Sequence, residues 1–278
     1  MILITTPGGK VGSEIVKLLQ ARGEPMRLGA HTVEKARRDF PAAEIVHFDF
    51  ADEASVRSAL RGVTRLYLAA PGEMPADPVK RVVDLAKEAG VEHIVKLSAL
   101  GADQGKNPFR DAERHIQGSG LAWTFLRPSW FMQNYSTLSA RGIREQGTIM
   151  EPAGDAATGF VDARDIAAIG VAALTEGGHA GQAYAITGPA ALTREQVAAT
   201  ISAATGREVR YLPISEEDFQ GAMSGAGMPA AYVGLMTGLY RMVRAGHTAR
   251  VTDDVQRVTG RAPTTFEQFA RDHVTSWQ

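Results

Sequence analysis

The chain has 278 residues, of which 44% are hydrophobic and 22% charged, and its formal net charge at pH 7 is −1. These values are typical of a folded protein of one or two domains, and the balanced charge excludes a broad basic surface for nucleic acid or anionic membranes. The lack of cysteine excludes disulfides, thiolate nucleophiles and cysteine-ligated metal centres. The first apolar run is too short for a signal peptide and has no basic residues before it, so we predict a cytoplasmic protein.

The first 130 residues alternate short apolar runs with amphipathic, helix-like stretches. The runs are Ile2–Thr5, Met26–Gly29, Ile45–Phe48, Leu66–Ala70, His93–Leu97 and Trp123–Leu126. Because the runs are aliphatic and not strictly alternating, they predict strands that are covered on both faces. Strands that alternate with helices predict βαβ units in a parallel sheet.

The pattern changes after about residue 130, where we predict one strand near Thr148–Met150. Asp162 or Asp165 is a candidate cap for a helix that extends to Leu174. Three further helix starts are predicted at Thr193 with Gln196, at Ser215 with Asp218, and at Thr264 before Phe266 and Phe269.

These elements together predict an α/β protein with a parallel sheet built of βαβ units and a smaller, mostly helical C-terminal cap that binds substrate. The sheet domain is expected to comprise residues 1–132 and to receive about 155–178. The cap is expected to comprise residues 133–154 and 179–278.

The turn Thr6-Pro7-Gly8-Gly9-Lys10-Val11-Gly12 lies directly between the first predicted strand and the first predicted helix. Glycines at such a turn let the backbone approach a pyrophosphate, and the helix N-terminus supplies free N–H groups. Gly9 and Gly12 keep the spacing of the last two glycines of a dinucleotide fingerprint, whereas Thr6 occupies the first position. An ordinary glycine-rich turn is the alternative, but the strand–turn–helix context favours dinucleotide binding.

Ala30, His31 and Thr32 follow the second predicted strand, so no acidic residue is present there for the ribose hydroxyls of NAD. Three basic residues follow: Lys35, Arg37 and Arg38. They favour NADP(H), although they fit a solvated helix face equally well. Asp49 follows the third strand, where its carboxylate can accept a hydrogen bond from adenine or cap a helix; Asp52 is better placed as the cap.

Several catalytic motifs are missing from the sequence. None of the six tyrosines is followed by lysine four positions later, so the Tyr–Lys proton donor of ordinary short-chain dehydrogenases is absent. There is no Gly-x-Ser-x-Gly elbow and no His-Glu-x-x-His motif. We therefore predict no metal site and leave the catalytic residue unassigned.

Four segments carry a resemblance to a known family: Thr5–Gly12, Lys96–Ala102, Glu113 with Ser119–Asn134, and Phe160–Ala168. They resemble the NmrA-like branch of the atypical short-chain dehydrogenases, and the likeness extends over nearly the whole chain. The stretch Thr124–Asn134 is its most specific part. The branch includes NAD(P)H quinone oxidoreductases, triphenylmethane reductase, and a regulator that binds dinucleotide without reducing anything.

The resemblance implies a Rossmann-like, doubly wound sheet with a cofactor on the turn at Gly9 and Gly12 and its adenine near Asp49 and Phe50. It places the nicotinamide near Ala69, Ala70, Pro71, Ser98 and the Pro128–Trp130 loop. Gly72, next after Pro71, is a small residue at a strand end that would let the cofactor pass. The chain departs from the family pattern at three positions. Thr6 replaces the first fingerprint glycine, His31 stands where NADP-binding relatives usually have arginine, and Phe109 stands near a histidine or lysine that positions or protonates substrate.

The sequence has no recognised proton donor, and this favours one class of hydride acceptor over another. Reduction of an isolated ketone creates an alkoxide, whose conjugate acid has a pKa of about 16, and this reaction needs a positioned acid. Reduction of a quinone creates a phenolate with a pKa of about 10, a difference of roughly 8 kcal/mol in proton affinity. The sequence therefore favours hydride transfer to a bulky aromatic, quinone-like acceptor. A dinucleotide-sensing regulator and a tailoring enzyme of aromatic natural products remain alternatives.

An uncharged segment, Phe219–Tyr240, is long enough for a membrane span, but it contains Pro229 and five glycines and so predicts an apolar wall instead. It is rich in methionine and tyrosine, which suit a flat, bulky ligand, a core gap or a dimer contact. The predicted substrate contacts are Trp130, Phe131, Met223, Met228, Tyr232 and Met236. The sequence leaves open whether the protein is a monomer or a homodimer.

Overall fold

The structure is a computed structural model that describes residues 1–71 and 74–278. It divides into two compact units. The sheet unit comprises Met1–Pro128 and Ala163–Ala185, and the helical unit comprises Ser129–Asp162 and Ile186–Gln278. The domain boundaries inferred from the sequence, at residue 132 and around 155–178, stay a prediction, because compactness does not show which segments fold independently.

The described strands are Ile2–Thr5 (β1), Met26–Ala30 (β2), Glu44–His47 (β3), Arg65–Leu68 (β4), His93–Leu97 (β5), Ala122–Pro128 (β6), Thr148–Glu151 (β7), Gln182–Ile186 (β8) and Arg210–Pro213 (β9). Seven of them form one sheet in the order β3-β2-β1-β4-β5-β6-β8, and β1 to β6 pair in parallel. The strand order reverses between β1 and β4, which is the point where ligands bind in doubly wound sheets. The predicted Rossmann-like α/β fold is confirmed.

The described helices of the sheet unit are Lys10–Ala21 (α1), Val33–Asp39 (α2), Glu53–Ala59 (α3), Ala76–Glu88 (α4), Pro108–Gly118 (α5) and Ala163–Thr175 (α8). Helices α1 and α8 pack against each other. A Cβ at Gly170 of α8 would lie 3.2 Å from methyl groups of both Ile15 and Leu126, so this glycine permits a close approach of helix and sheet.

The described helices of the helical unit are Gln133–Ser136 (α6), Ala140–Gln146 (α7), Arg194–Thr205 (α9), Glu216–Gly225 (α10), Ala230–Arg244 (α11), Asp254–Thr259 (α12), Phe266–Asp272 (α13) and the 3₁₀ turn Val274–Ser276. The unit also contains a small parallel sheet of β7 and β9, against which α7 and α9 pack. Aromatic side chains fill the core, where Trp277 is buried and its Nε1 donates to the Tyr135 carbonyl at 2.8 Å.

The helix caps in the structure test the helix starts that the sequence predicts. The Thr193–Gln196 capping box and the Ser215 cap are confirmed. One predicted cap is wrong: Thr265, not Thr264, caps α13 and accepts from the Gln268 N–H. Of the two alternatives for α8, Asp162 directly precedes its first residue, whereas Asp165 lies inside its first turn.

The uncharged segment Phe219–Tyr240 forms most of α10 and α11, with a break before Pro229. In the described ranges 1–71 and 74–278, no helix has the length and apolar character needed to cross a membrane.

Candidate functional site

The glycine-rich turn between β1 and α1 closes through a hydrogen bond from the Gly9 N–H to the Thr6 carbonyl at 3.0 Å. A Cβ at Gly12 would lie 2.3 Å from the Thr6 oxygen, and one at Gly9 would lie 3.2 Å from it. At Gly8 a Cβ would meet, among the described residues, the Lys35 Nζ at 3.8 Å. Gly12 is therefore required for packing of helix against turn, whereas Gly8 leaves the turn open to a ligand.

Thr6 is, among the described residues, the non-glycine position with a positive φ, of 50°. An L-residue in this left-handed region costs about 1–2 kcal/mol relative to the right-handed one, a cost that glycine avoids. The fingerprint's first glycine is thus replaced by a residue that keeps the glycine-like backbone conformation.

A cavity of about 420 Å³ opens beside this turn. Eight predicted cofactor residues line it: Thr6, Pro7, Gly8, Gly9, His31, Asp49, Phe50 and Pro71. Lys35, one of the basic residues that follow β2, also lines the cavity, as the sequence suggested. The sequence did not predict a cofactor contact for the remaining lining residues, which are Gly29, Ala30, Thr32, Ala36, Asp39, Phe40, Phe48 and Met74. The cavity lies at the carboxyl ends of β1 and β2, where the fold places nucleotides.

The other predicted cofactor residues lie nearby but, in the described part of the chain, do not line this cavity. Lys10, Val11 and Gly12 form the first turn of α1, and burial lowers the pKa of Lys10. Ala69, Ala70, Ser98 and Pro128 lie at or just beyond the carboxyl ends of β4, β5 and β6. Gly72 lies outside the described residues.

Two side-chain pairs set the charge of the cavity rim. His31 Nε2 lies 3.6 Å from Asp49 Oδ2, and Lys35 Nζ lies 3.3 Å from Asp39 Oδ2. Although β2 ends without an acid, Asp39 from α2 and Asp49 after β3 thus bring two carboxylates to the rim. Arg37 and Arg38, which the sequence grouped with Lys35, are exposed and lie outside the lining.

Ser98, at the end of β5, is buried and its hydroxyl donates to Glu113 Oε1 at 2.6 Å. Arg127 binds the same carboxylate in a bidentate manner, with N–O distances of 3.0 and 2.6 Å. The Ser98 proton is therefore already directed at a buried carboxylate, which fixes the orientation of the hydroxyl.

Phe109, predicted beside Ser98, lies at the N-terminal end of α5, where Lys96 Nζ is 5.7 Å from its ring centroid. Lys96 is 3% exposed and donates to the Leu97 carbonyl at 2.6 Å. Burial lowers the pKa of Lys96 to about 8, and the Glu113 carboxylate opposes this shift. Relatives are expected to carry a polar side chain near position 109, whereas this chain has the apolar ring of Phe109, with the Lys96 amino group beside it.

A second cavity, of about 350 Å³, lies within the helical unit. Five of the six predicted substrate residues line it: Trp130, Met223, Met228, Tyr232 and Met236. The sixth, Phe131, is half-buried outside the described lining. The remaining lining residues are Asn134, Leu138, Ser139, Gly142, Gln146, Thr148, Met150, Glu151, Phe219, Ala226 and Tyr240.

One charged side chain, Glu151, stands on this otherwise uncharged lining. Glu151 is 4% exposed and forms an ion pair with Arg194, whose Nε lies 3.0 Å from Glu151 Oε2 and which is fully buried. The Tyr135 hydroxyl also donates to Glu151 Oε2, at 3.5 Å. Burial, with a contribution from that carboxylate, raises the pKa of Tyr240 well above its usual value. Sequence reasoning missed this pair because its members are 43 positions apart and belong to no motif.

Comparison with known proteins decides the family. Residues 8–177 match a family model described as NAD(P)H-binding. The chain belongs to this NAD(P)H-binding family. The NAD(P)H azoreductase of Xenophilus azovorans is 38% identical over 287 residues, which cover 100% of this chain and 99% of the azoreductase.

Two solved structures extend the comparison. An NADPH-dependent quinone oxidoreductase from Escherichia coli, with NADPH bound, is 28% identical, covers 98% of this chain and 99% of its own, and has a TM-score of 0.87. The triphenylmethane reductase of Citrobacter, at 23% identity and a TM-score of 0.86, covers 99% of each chain and agrees in fold. The protein is an NAD(P)H-dependent reductase of the NmrA-like branch, as the sequence motifs indicated.

Proposed function

We propose that this reductase transfers hydride from NAD(P)H to a bulky aromatic, quinone-like acceptor. The observation that carries the proposal is the second cavity, whose described lining combines four methionines with aromatic rings and a single charged side chain, that of Glu151. Such a lining binds flat, polarisable ligands without selecting a charged group. Relatives named for the reduction of azo compounds and quinones support the same class of acceptor.

The cavity of the sheet unit fits the dinucleotide. The amide groups at the N-terminus of α1 and the open face of Gly8 suit a pyrophosphate, because both the helix dipole and the backbone N–H groups favour an anion. Asp49 stands where its carboxylate can accept from the adenine amino group. When bound, the nicotinamide supplies the hydride; the protein's part is to hold and orient the two reactants.

Proton transfer needs little from the protein if the acceptor is a quinone. The Ser98 hydroxyl donates to Glu113, and Phe109 has no acidic proton. Neither residue therefore offers the positioned acid that reduction of an isolated ketone requires. A phenolate product is stable enough in water to be protonated after the hydride has moved. The chain's own residues therefore suit delocalised acceptors.

The proposal predicts a large difference between two acceptors. With NADPH under anaerobic conditions, kcat/KM for menadione is expected to exceed that for propanal by about a hundredfold or more, since each 1.4 kcal/mol of lost stabilisation is tenfold in rate. NADPH oxidation followed by absorbance gives the comparison, and a repeat in air shows whether oxygen recycles the product. Tight NADPH binding without turnover of menadione would indicate a sensor instead, and faster turnover of propanal would refute the substrate class.

We propose NADP(H) as the preferred cofactor, because Lys35 and His31 line the first cavity near the end of β2. Lys35→Met is expected to weaken NADPH binding about fivefold and to leave NADH binding unchanged, since the contact is a solvent-exposed charge pair with a 2′-phosphate. Calorimetry with both cofactors measures the ratio. Arg37→Met is the matched control, because Arg37 is exposed on the same helix but outside the lining. An equal loss of NADH affinity would show that Lys35 does not recognise the 2′-phosphate.

We propose further that the reductase acts in the cytoplasm on a small molecule, with no nucleic-acid or membrane partner, as a monomer or homodimer. The near-neutral net charge of −1 supports the lack of polyanionic partners.

A further inference from the structure

We propose that Thr6, which occupies the first glycine position of the fingerprint, binds the pyrophosphate of the cofactor by donating a hydrogen bond from its side-chain hydroxyl. Glycine at this position has no side chain, so the contact is one that an ordinary fingerprint cannot make. The inference rests on the proposed placement of the pyrophosphate at the turn between β1 and α1. The group recognised is the diphosphate that NADPH, NADH and ADP-ribose share.

The place of Thr6 in the sheet selects the pyrophosphate over the two ends of the cofactor. Thr6 directly follows β1, and the strand order β3-β2-β1-β4 puts β1 between the strands that carry those ends. The adenine is expected near Asp49, after β3, and the nicotinamide near Ala70, after β4. Because the pyrophosphate joins the two halves, it is the group expected over the end of β1, where Thr6 lines the first cavity.

The two consecutive threonines at this strand end use their hydroxyls differently. Thr5 is fully buried, and its Oγ1 accepts from the Ala69 N–H at 2.9 Å and donates to the Tyr67 carbonyl at 3.1 Å. Thr6 is partly exposed, and its hydroxyl forms no hydrogen bond with the residues that the structure describes. Its Oγ1 is also not among the described side-chain atoms that are sealed from solvent without a partner. The Thr6 hydroxyl proton is therefore free for a group in the cavity.

The Thr6 hydroxyl lies beside Gly9, the residue that precedes α1. A Cβ at Gly9 would be 3.9 Å from Thr6 Oγ1. The Gly9 N–H already donates to the Thr6 carbonyl at 3.0 Å, so this amide closes the turn and does not serve an anion. The N-terminus of the helix still favours negative charge here, and a hydrogen bond to a charged phosphate oxygen is stronger than a neutral one. The hydroxyl thus adds a donor next to an amide that the turn has used.

The backbone of Thr6 gives an independent reason to expect a role for the side chain. Its φ of 50° lies in the left-handed region, where a β-branched residue is a genuine outlier and glycine fits without strain. Strained residues of this kind cluster at ligand sites, where the surrounding structure holds them in place. The hydroxyl is the part of the side chain that can repay the strain when an anion binds.

Calorimetry on the full chain tests the contact with three ligands. Thr6→Ala should weaken the binding of NADPH, NADH and ADP-ribose by about tenfold each, because all three contain the diphosphate and each loses a hydrogen bond to a charged group. Thr6→Ser keeps the hydroxyl and should stay within about twofold of the wild type. A loss confined to NADPH would place the hydroxyl at the 2′-phosphate, and unchanged affinity for ADP-ribose would place it at the nicotinamide half. Either result overturns the inference.

Thr6→Gly separates the hydroxyl from the backbone strain. This variant should unfold about 2–4 °C above Thr6→Ala, because glycine adopts a positive φ freely, yet it should bind NADPH no more tightly than Thr6→Ala. Wild-type NADPH affinity in either variant, or a loss in Thr6→Ser as large as that in Thr6→Ala, overturns the inference. Such results leave the proposed function intact, since that function fails only if the wild type does not reduce menadione with NADPH.

Discussion

Gly8→Asp is expected to weaken NADPH binding by at least about a hundredfold. The new carboxylate would stand on the open face of the turn, where the pyrophosphate is expected to lie. Two unit charges 4 Å apart repel by about 4 kcal/mol at the effective dielectric of a protein surface, and a tenfold loss needs about 1.4 kcal/mol. Lys35, whose Nζ would lie 3.8 Å from the added Cβ, offsets part of this repulsion and also withdraws its charge from the cofactor.

Gly8→Asn is the matched control, because it adds a side chain of nearly the same size without the charge. It should weaken NADPH binding by no more than about tenfold, the cost of a neutral obstruction of about 1.4 kcal/mol. Both variants should keep the thermal stability of the wild type, since within the described parts of the chain the added Cβ meets the flexible end of Lys35 and no backbone atom. Calorimetric titration measures the affinities. Unchanged NADPH affinity in Gly8→Asp would show that the pyrophosphate does not bind at this turn.

The same test at Gly12 would not report on the cofactor. Sequence spacing gives Gly9 and Gly12 equal standing in the fingerprint, but the structure shows that any Cβ at Gly12 meets the Thr6 carbonyl at 2.3 Å. A substitution there disrupts the turn whether or not a ligand is bound. The sequence identifies which residues form a nucleotide turn, whereas only the backbone geometry shows which of them faces the ligand.

The sheet was predictable because its strands are buried on both faces. All four residues of β1 and most of β5 are buried, so their apolar runs give the strand bounds directly, Ile2–Thr5 and His93–Leu97. Strands β8 and β9 were missed: the first two residues of β8 are exposed, and Tyr211 is the one buried residue of β9, so neither is covered on both faces. Their place beside β6 and β7 depends on pairing with distant segments, which a local pattern does not contain.

Part of the lining of the second cavity was predictable because three of its residues share one face of a helix. Tyr232, Met236 and Tyr240 are spaced four residues apart on α11, so they share one face of the helix, and all three line the cavity. Trp130 and Phe131 are neighbours in the chain, and only Trp130 belongs to the described lining. The Glu151–Arg194 pair joins a strand end to a helix start and follows from tertiary packing alone.

Trp130→Ala is expected to raise KM for a bulky quinone by one to two orders of magnitude. The substitution removes the ring that lines the second cavity and packs against Tyr240, and loss of a packed aromatic contact costs about 1–3 kcal/mol. NADPH affinity should change much less than KM, because the residues that line the first cavity lie in the sheet unit and Trp130 is expected to approach the cofactor only at its nicotinamide end. The quantities to compare are KM for menadione and the dissociation constant of NADPH.

Trp123→Ala provides the matched control for this loss of an indole ring. Trp123 stacks on Phe125 at 4.3 Å in the sheet unit and is outside the described lining of the second cavity. Both variants remove the same atoms, so both should lose stability, but only Trp130→Ala should raise KM for menadione. Thermal unfolding of each variant separates lost stability from lost binding, since a general loss of fold would lower NADPH affinity as well. An unchanged KM in Trp130→Ala would show that the acceptor does not bind in the second cavity.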